Sequence, residues 1–286
     1  TFTTSDANVT DDLTVTDDAS VGGDLTVTGG ATFTTPILNH PTGTENIGIG
    51  TGVFAAIEAG AQYNTALGSQ AAAALTTGDY NTIIGRIAGD AMTTASLNDA
   101  FGYEALSSNT TGKRNVAIGV NALKTLNHTD STDAYNTAVG NNAGASMNTG
   151  LYNTFIGGLA GDALTTGEGN VAVGYGALTA ATINNRCTAV GVNALQNMNN
   201  ASTGTIDNTA FGANAGGTGV MTGTLNTLVG VATGLSITSG NKNSIVGGEA
   251  GDALTTGEKN AVLGQGALGA GTTYDGNVAI GFEALK

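Results

Sequence analysis

Asn115-Val116-Ala117-Ile118-Gly119 is one of fourteen copies of a single five-residue pattern, and its spacing decides the fold. Asn64 to Gly68, Asn81 to Gly85 and Asn277 to Gly281 are three others. The first positions are Asn46, Asn64, Asn81, Asn98, Asn115, Asn136, Asn153, Asn170, Cys187, Asn208, Asn226, Asn243, Asn260 and Asn277. Most steps are seventeen residues, as from 64 to 81 or 153 to 170; 115 to 136 and 187 to 208 are twenty-one. Seventeen residues are many for a strand pair and few for a helical hairpin. A fixed period of this size predicts an all-β parallel β-solenoid or β-roll, one coil per repeat.

Counted from each first position, the columns sort by chemistry. The residue four places on is always glycine, including Gly68, Gly85, Gly119 and Gly281, which predicts a corner with positive φ or no room for a Cβ. The residue three places on is always bulky and apolar, from Ile49 through Phe101 to Ile280, and is expected to stack as a ridge inside the coil. Alanine dominates two and seven places on, as at Ala66 and Ala71; such small residues predict close approach by neighbouring subunits. Cyclic association would also shield sheet edges, so an intertwined homotrimer is expected. Eleven places on, Leu, Met or Ile recurs. The asparagine column, with Asn64, Asn81, Asn115 and Asn277, predicts a side-chain amide ladder serving buried turn groups. At roughly 4.8 Å per coil, residues 43–286 would stack as fourteen coils over roughly 65 Å.

Residues 1–34 carry a shorter, six-residue period, typified by Gly23-Asp-Leu-Thr-Val-Thr28, in which Leu25 and Val27 share one strand face. It predicts a β-structured shaft segment. Pro36 and Pro41 then fall in a joint at 35–42, where two residues that cannot donate to a ladder separate the arrays.

The formal charge is −14, with 8 basic residues, and this lacks the basic footprint of a nucleic-acid binder. No apolar run is long enough for a membrane-crossing helix, so membrane insertion is not expected. His40 and His128 are the only histidines, and no metalloprotease, nucleophile-elbow or phosphate-loop motif occurs. The reading is therefore no enzyme, no metal and no cofactor. Asp90, Asp162 and Asp252 share a column, but coils this far apart cannot share one ion.

Two features could contact a partner. The four extra residues in each long step predict protruding loops, with His128, Asp130, Ser131 and Asp133 in one and Asn197, Asn199, Asn200 and Ser202 in the other. Tyr63 with Tyr80, and Tyr135 with Tyr152, precede consecutive first positions; either they simply pack on a corner or they form an aromatic platform for a sugar ring. Threonines such as Thr65, Thr82 and Thr137 suggest an ice-binding face, but Asp99 and Val116 interrupt that column.

The unit Asn115 to Ala122 resembles the head repeats of trimeric autotransporter adhesins, and the hexads with their Leu-Thr-Thr-Gly linkers resemble bacteriophage tail-fibre and structural proteins. The resemblance implies a homotrimeric structural fibre of a virion or another extracellular surface. Such a fibre would assemble with other fibre or virion proteins and attach to a host surface glycan or protein. A bacterial surface adhesin or extracellular filament subunit is the alternative, and an ice-binding solenoid the third. The seventeen-residue coil is longer than the usual autotransporter head repeat. Anchor or chaperone segments are expected to lie outside the chain.

Overall fold

The computed structural model describes residues 45–199, 206–217 and 219–286. The hexads of 1–34 and the joint at 35–42 lie outside them. What is described is a parallel β-solenoid. Its fourteen three-residue strands include β1 (Ile47–Ile49), β5 (Val116–Ile118), β6 (Thr137–Val139), β7 (Thr154–Ile156) and β14 (Val278–Ile280). They form one sheet in chain order, each parallel to the next and in register, so that Val116, Ala117 and Ile118 sit beside Thr137, Ala138 and Val139. No helix occurs among the described residues.

The rest of each coil is turn. Its chain reverses by left-handed residues immediately before the asparagine and at six and eight places on, as at Arg114 (φ 61°), Asn121 (φ 59°) and Leu123 (φ 47°). Backbone groups in these turns bond mostly to the adjacent coil: Asn121 N–H donates to the Tyr103 carbonyl at 2.9 Å and Leu123 N–H to the Ala143 carbonyl at 3.0 Å. The seventeen-residue repeat thus satisfies its backbone coil to coil, as a buried turn must.

The glycine four places on occupies backbone that no other residue type tolerates. Gly68 has φ 132°, and an added Cβ would lie 2.6 Å from the Gly85 carbonyl oxygen. Gly119 repeats this against Gly140. Both halves of the sequence argument, positive φ and lack of space, operate together at this corner.

The asparagines form the ladder. The Asn153 N–H and Nδ2 both donate to Asn136 Oδ1, at 3.0 and 3.1 Å, and Nδ2 also donates to the Gly167 carbonyl at 2.8 Å. Asn64, Asn81 and Asn115 repeat the bonds to the rung below, and Asn277 ends the series on Asn260. At Cys187 the ladder is interrupted: its N–H still donates to Asn170 Oδ1 at 3.0 Å, but a thiol replaces the amide. Burial pushes that thiol up to about 12.

The core corrects two expectations. The bulky column does not fill the coil; it faces outward, with Ile156 42 % exposed and Ile280 69 %. The alanines two and seven places on are buried inside, including Ala66, Ala71, Ala117 and Ala122, so no neighbouring subunit presses on them. The reason is the narrow bore. A three-residue strand sends its middle side chain inward and its outer two outward, and the opposite wall stands close enough that the middle residue must usually be small.

Volume is exchanged across that bore between the columns two and eight places on. Large Ile83, Phe155, Leu228 and Ile245 accompany Gly89, Gly161, Gly234 and Gly251, whereas Ala100, Ala117, Ala172 and Ala189 accompany Leu106, Leu123, Leu178 and Leu195. A Cβ added at Gly161 would lie 2.7 Å from the Phe155 ring, and one at Gly251 2.8 Å from Ile245 Cδ1. Side chains from adjacent coils share the same space: Gly144 faces both Phe155 and Leu123. The result is close packing achieved with small residues.

Candidate functional site

The first four-residue insertion lies fully within the described residues and interrupts the regular coil wall. Leu126 keeps its core position, and the extra residues then leave the coil before rejoining it at Ala134. The loop is fastened to the coil below. Thr110 Oγ1 donates to Asn127 Oδ1 at 2.8 Å, Thr111 Oγ1 to the His128 carbonyl at 2.7 Å, and Ser131 N–H to Thr111 Oγ1 at 3.0 Å. Lys113 N–H donates to the Thr132 carbonyl at 2.8 Å, and Asn127 N–H to the Asn148 carbonyl of the coil above at 2.8 Å. Asp130 accepts a hydrogen bond from Thr132 Oγ1. Asp133 pairs with Arg114 at 3.2 Å, and the same guanidinium lies 5.5 Å from the centre of the Tyr135 ring.

Where the loop leaves the coil, it opens a cleft of about 440 Å³ lined by Asn127, His128, Thr129, Asp130, Thr132, Asn148, Thr149 and Leu151. His128 is 5 % exposed and its Nε2 has no hydrogen-bond partner. Desolvation lowers its pKa, while the charge of Asp130 and the Gly150 carbonyl act in the opposite direction. The cleft therefore offers amide, hydroxyl and carboxylate groups around one buried imidazole. That set can exchange several directional hydrogen bonds with a polar neutral ligand.

The tyrosines form two separate stacks. Tyr63 and Tyr80 have ring centres 4.9 Å apart at 14°, and Tyr135 and Tyr152 are 6.0 Å apart at 17°. All four are exposed and sit in the left-handed position before the asparagine. The second stack belongs with the insertion, since Arg114 covers Tyr135 and Leu151, beside Tyr152 in the chain, lines the cleft.

The second insertion is described only at its base. Asn197 Nδ2 donates to the Gly217 carbonyl at 2.8 Å, and Asn199 Oδ1 accepts from Thr182 Oγ1 at 3.2 Å. Asn200 and Ser202 lie outside the described residues. Asp90, Asp162 and Asp252 occupy separate coils; burial raises the pKa of Asp90 and Asp162, and no cluster of metal-ligating residues occurs among the described residues. Nor does any described helix have the length and apolarity to cross a membrane.

Sequence reasoning located the insertion but missed Asn148 and Thr149, which reach the cleft from the next coil. Their signal is the in-register stacking itself, which sets the linker of one coil beside the loop of the coil before it. No family model, curated protein or solved structure matches the chain.

Proposed function

We propose that the protein is a structural fibre subunit, of a phage tail fibre or comparable appendage, whose coils set length and stiffness while its insertions contact a host surface. The observation that carries this reading is the in-register stack of fourteen strands beside a buried asparagine ladder that Cys187 alone interrupts. In such a stack each coil adds a fixed rise, so coil number is the property under control. The likeness of Asn115 to Ala122 to adhesin heads, and of the hexads to phage fibres, supports a place on a virion or cell surface.

Removing residues 64–114, three whole coils, tests the spacer role. Small-angle scattering should show the array shortened by about 14 Å with its cross-section unchanged. A collapsed or unfolded product would contradict it. For attachment, the cleft beside His128 and the Tyr135–Tyr152 stack supports a saccharide as the contacted group, because sugars pair hydrogen-bonding hydroxyls with a flat apolar face. Glycan-array binding that disappears on Asp130→Ala with Thr149→Val supports this; binding unchanged by that pair argues against it.

A further inference from the structure

We propose that the outward column of bulky apolar residues, three places after each asparagine, is the surface by which copies of this chain pack side by side, with solenoid axes parallel and like coils level. The proposal deepens the fibre reading and moves self-association from the alanine columns, now known to be interior, to the opposite face of the same strands.

The column never carries a polar residue in fourteen coils, from Ile49 to Ile280. Where such residues face water singly they need no explanation; an aligned row of them does. Each rung adds one, so the row runs the length of the sheet, and exposed Tyr103, Val192 and Phe282 widen it two places further on. Eight of the fourteen, including Ile118, Ile156 and Phe211, are exposed and the other six are partly exposed. At about 60 Å² each on average the row presents on the order of 800 Å², and a stable interface covers about 800 Å² per partner.

The choice of a second copy as occupant rests on charge and length. The three outward columns, one, three and five places on, comprise 42 positions over fourteen coils, of which only Asp99 and Arg86 are charged. Their charges cancel. Chains of net charge −14 meet with least repulsion through such a neutral face. An identical array also offers an apolar row of the same length and the same rung spacing, which a partner of unrelated fold does not. Parallel alignment places each side chain opposite its own equivalent at every level.

Light-scattering mass of the whole chain tests this, with Ile118→Lys and Ile156→Lys combined as the disrupting variant. The parent should weigh at least twice the 28.0 kDa chain. The variant should fall to one chain with its far-UV circular dichroism retained. A second pair of variants does not depend on the lysines being tolerated: Ile156→Cys should form chain-to-chain disulfides under copper-phenanthroline oxidation, and Thr166→Cys, on an exposed corner away from the row, should not. A parent of one-chain mass, or lysine variants that keep the assembled mass, would overturn the proposal. So would equal cross-linking at 156 and 166. A single-chain parent showing thermal hysteresis would assign the face to ice instead. None of these results bears on the three-coil deletion, so failure here and failure of the spacer reading remain distinguishable.

Discussion

Phe155 and Ile156 are consecutive residues of one three-residue strand, yet the first has no exposed surface and the second is 42 % exposed. The two faces of this sheet differ in what they demand. Inside, volume is rationed: Ile83, Phe155, Leu228 and Ile245 two places after the asparagine each accompany glycine eight places after it, and only the smaller Val262 sits with a leucine, Leu268. Outside, the only rule is that the side chain be apolar, and Ile, Leu, Val and Phe all serve. A column of constant character but variable size is one that no other column of the chain matches in volume. A column whose size is matched by another column is the mark of a core.

The largest effect expected from breaking this arrangement is at the corner joining the faces. Gly119→Val puts a β-branched residue at φ 132° and its Cβ against Gly140, and should cost about 5 kcal/mol or prevent folding; thermal melts of the variant check this. On the inner face, Phe155→Ala should cost about 4 kcal/mol by opening a cavity. Adding Gly161→Leu should recover about 2 kcal/mol by filling that space, since native Leu123 and Leu195 already adopt the left-handed backbone of this column. Denaturant midpoints of the single and double variants separate size-matching from mere apolarity; no recovery would end the volume-exchange account. A smaller gain is expected at the ladder. Cys187→Asn returns an amide between Asn170 and Asn208 and should add about 1 kcal/mol of stability, measured the same way.

The last effect concerns the insertion. Burial depresses the His128 pKa below the ordinary 6.5, so the unfolded chain binds the proton more readily than the folded one. Stability is then fully present above about pH 6.5 and declines as the pH falls below it. Denaturant titrations across this window should show that decline in the parent and a flatter profile in His128→Gln.

Much of this was legible in the residues. The period, the glycine corner and the amide ladder follow from spacing alone, because each depends on one column meeting its own copies. Which face of the strand is the core was not. Alternation tells that Ala117 and Ile118 point opposite ways, but the sense of inside depends on bore width, which the turns set. Asn121, Asn142 and Asn193, together with Gly176 and Gly266, mark the left-handed position six places on, and could have indicated how tightly the coil closes. The cleft was half legible: His128 lies in a visible insertion, but its burial depends on residues of both adjacent coils.

The described chain rises by one coil for every repeat of the asparagine pattern. Thr77 and Thr256 are exposed members of one column, ten coils apart, and away from the apolar row. Replaced by cysteine and spin-labelled, with labelled chain diluted into unlabelled chain, they permit a pulsed dipolar distance measurement; buried Cys187 should stay unlabelled. One narrow distribution centred at about 48 Å is expected. A broad distribution, or one centred well below that distance, would contradict it.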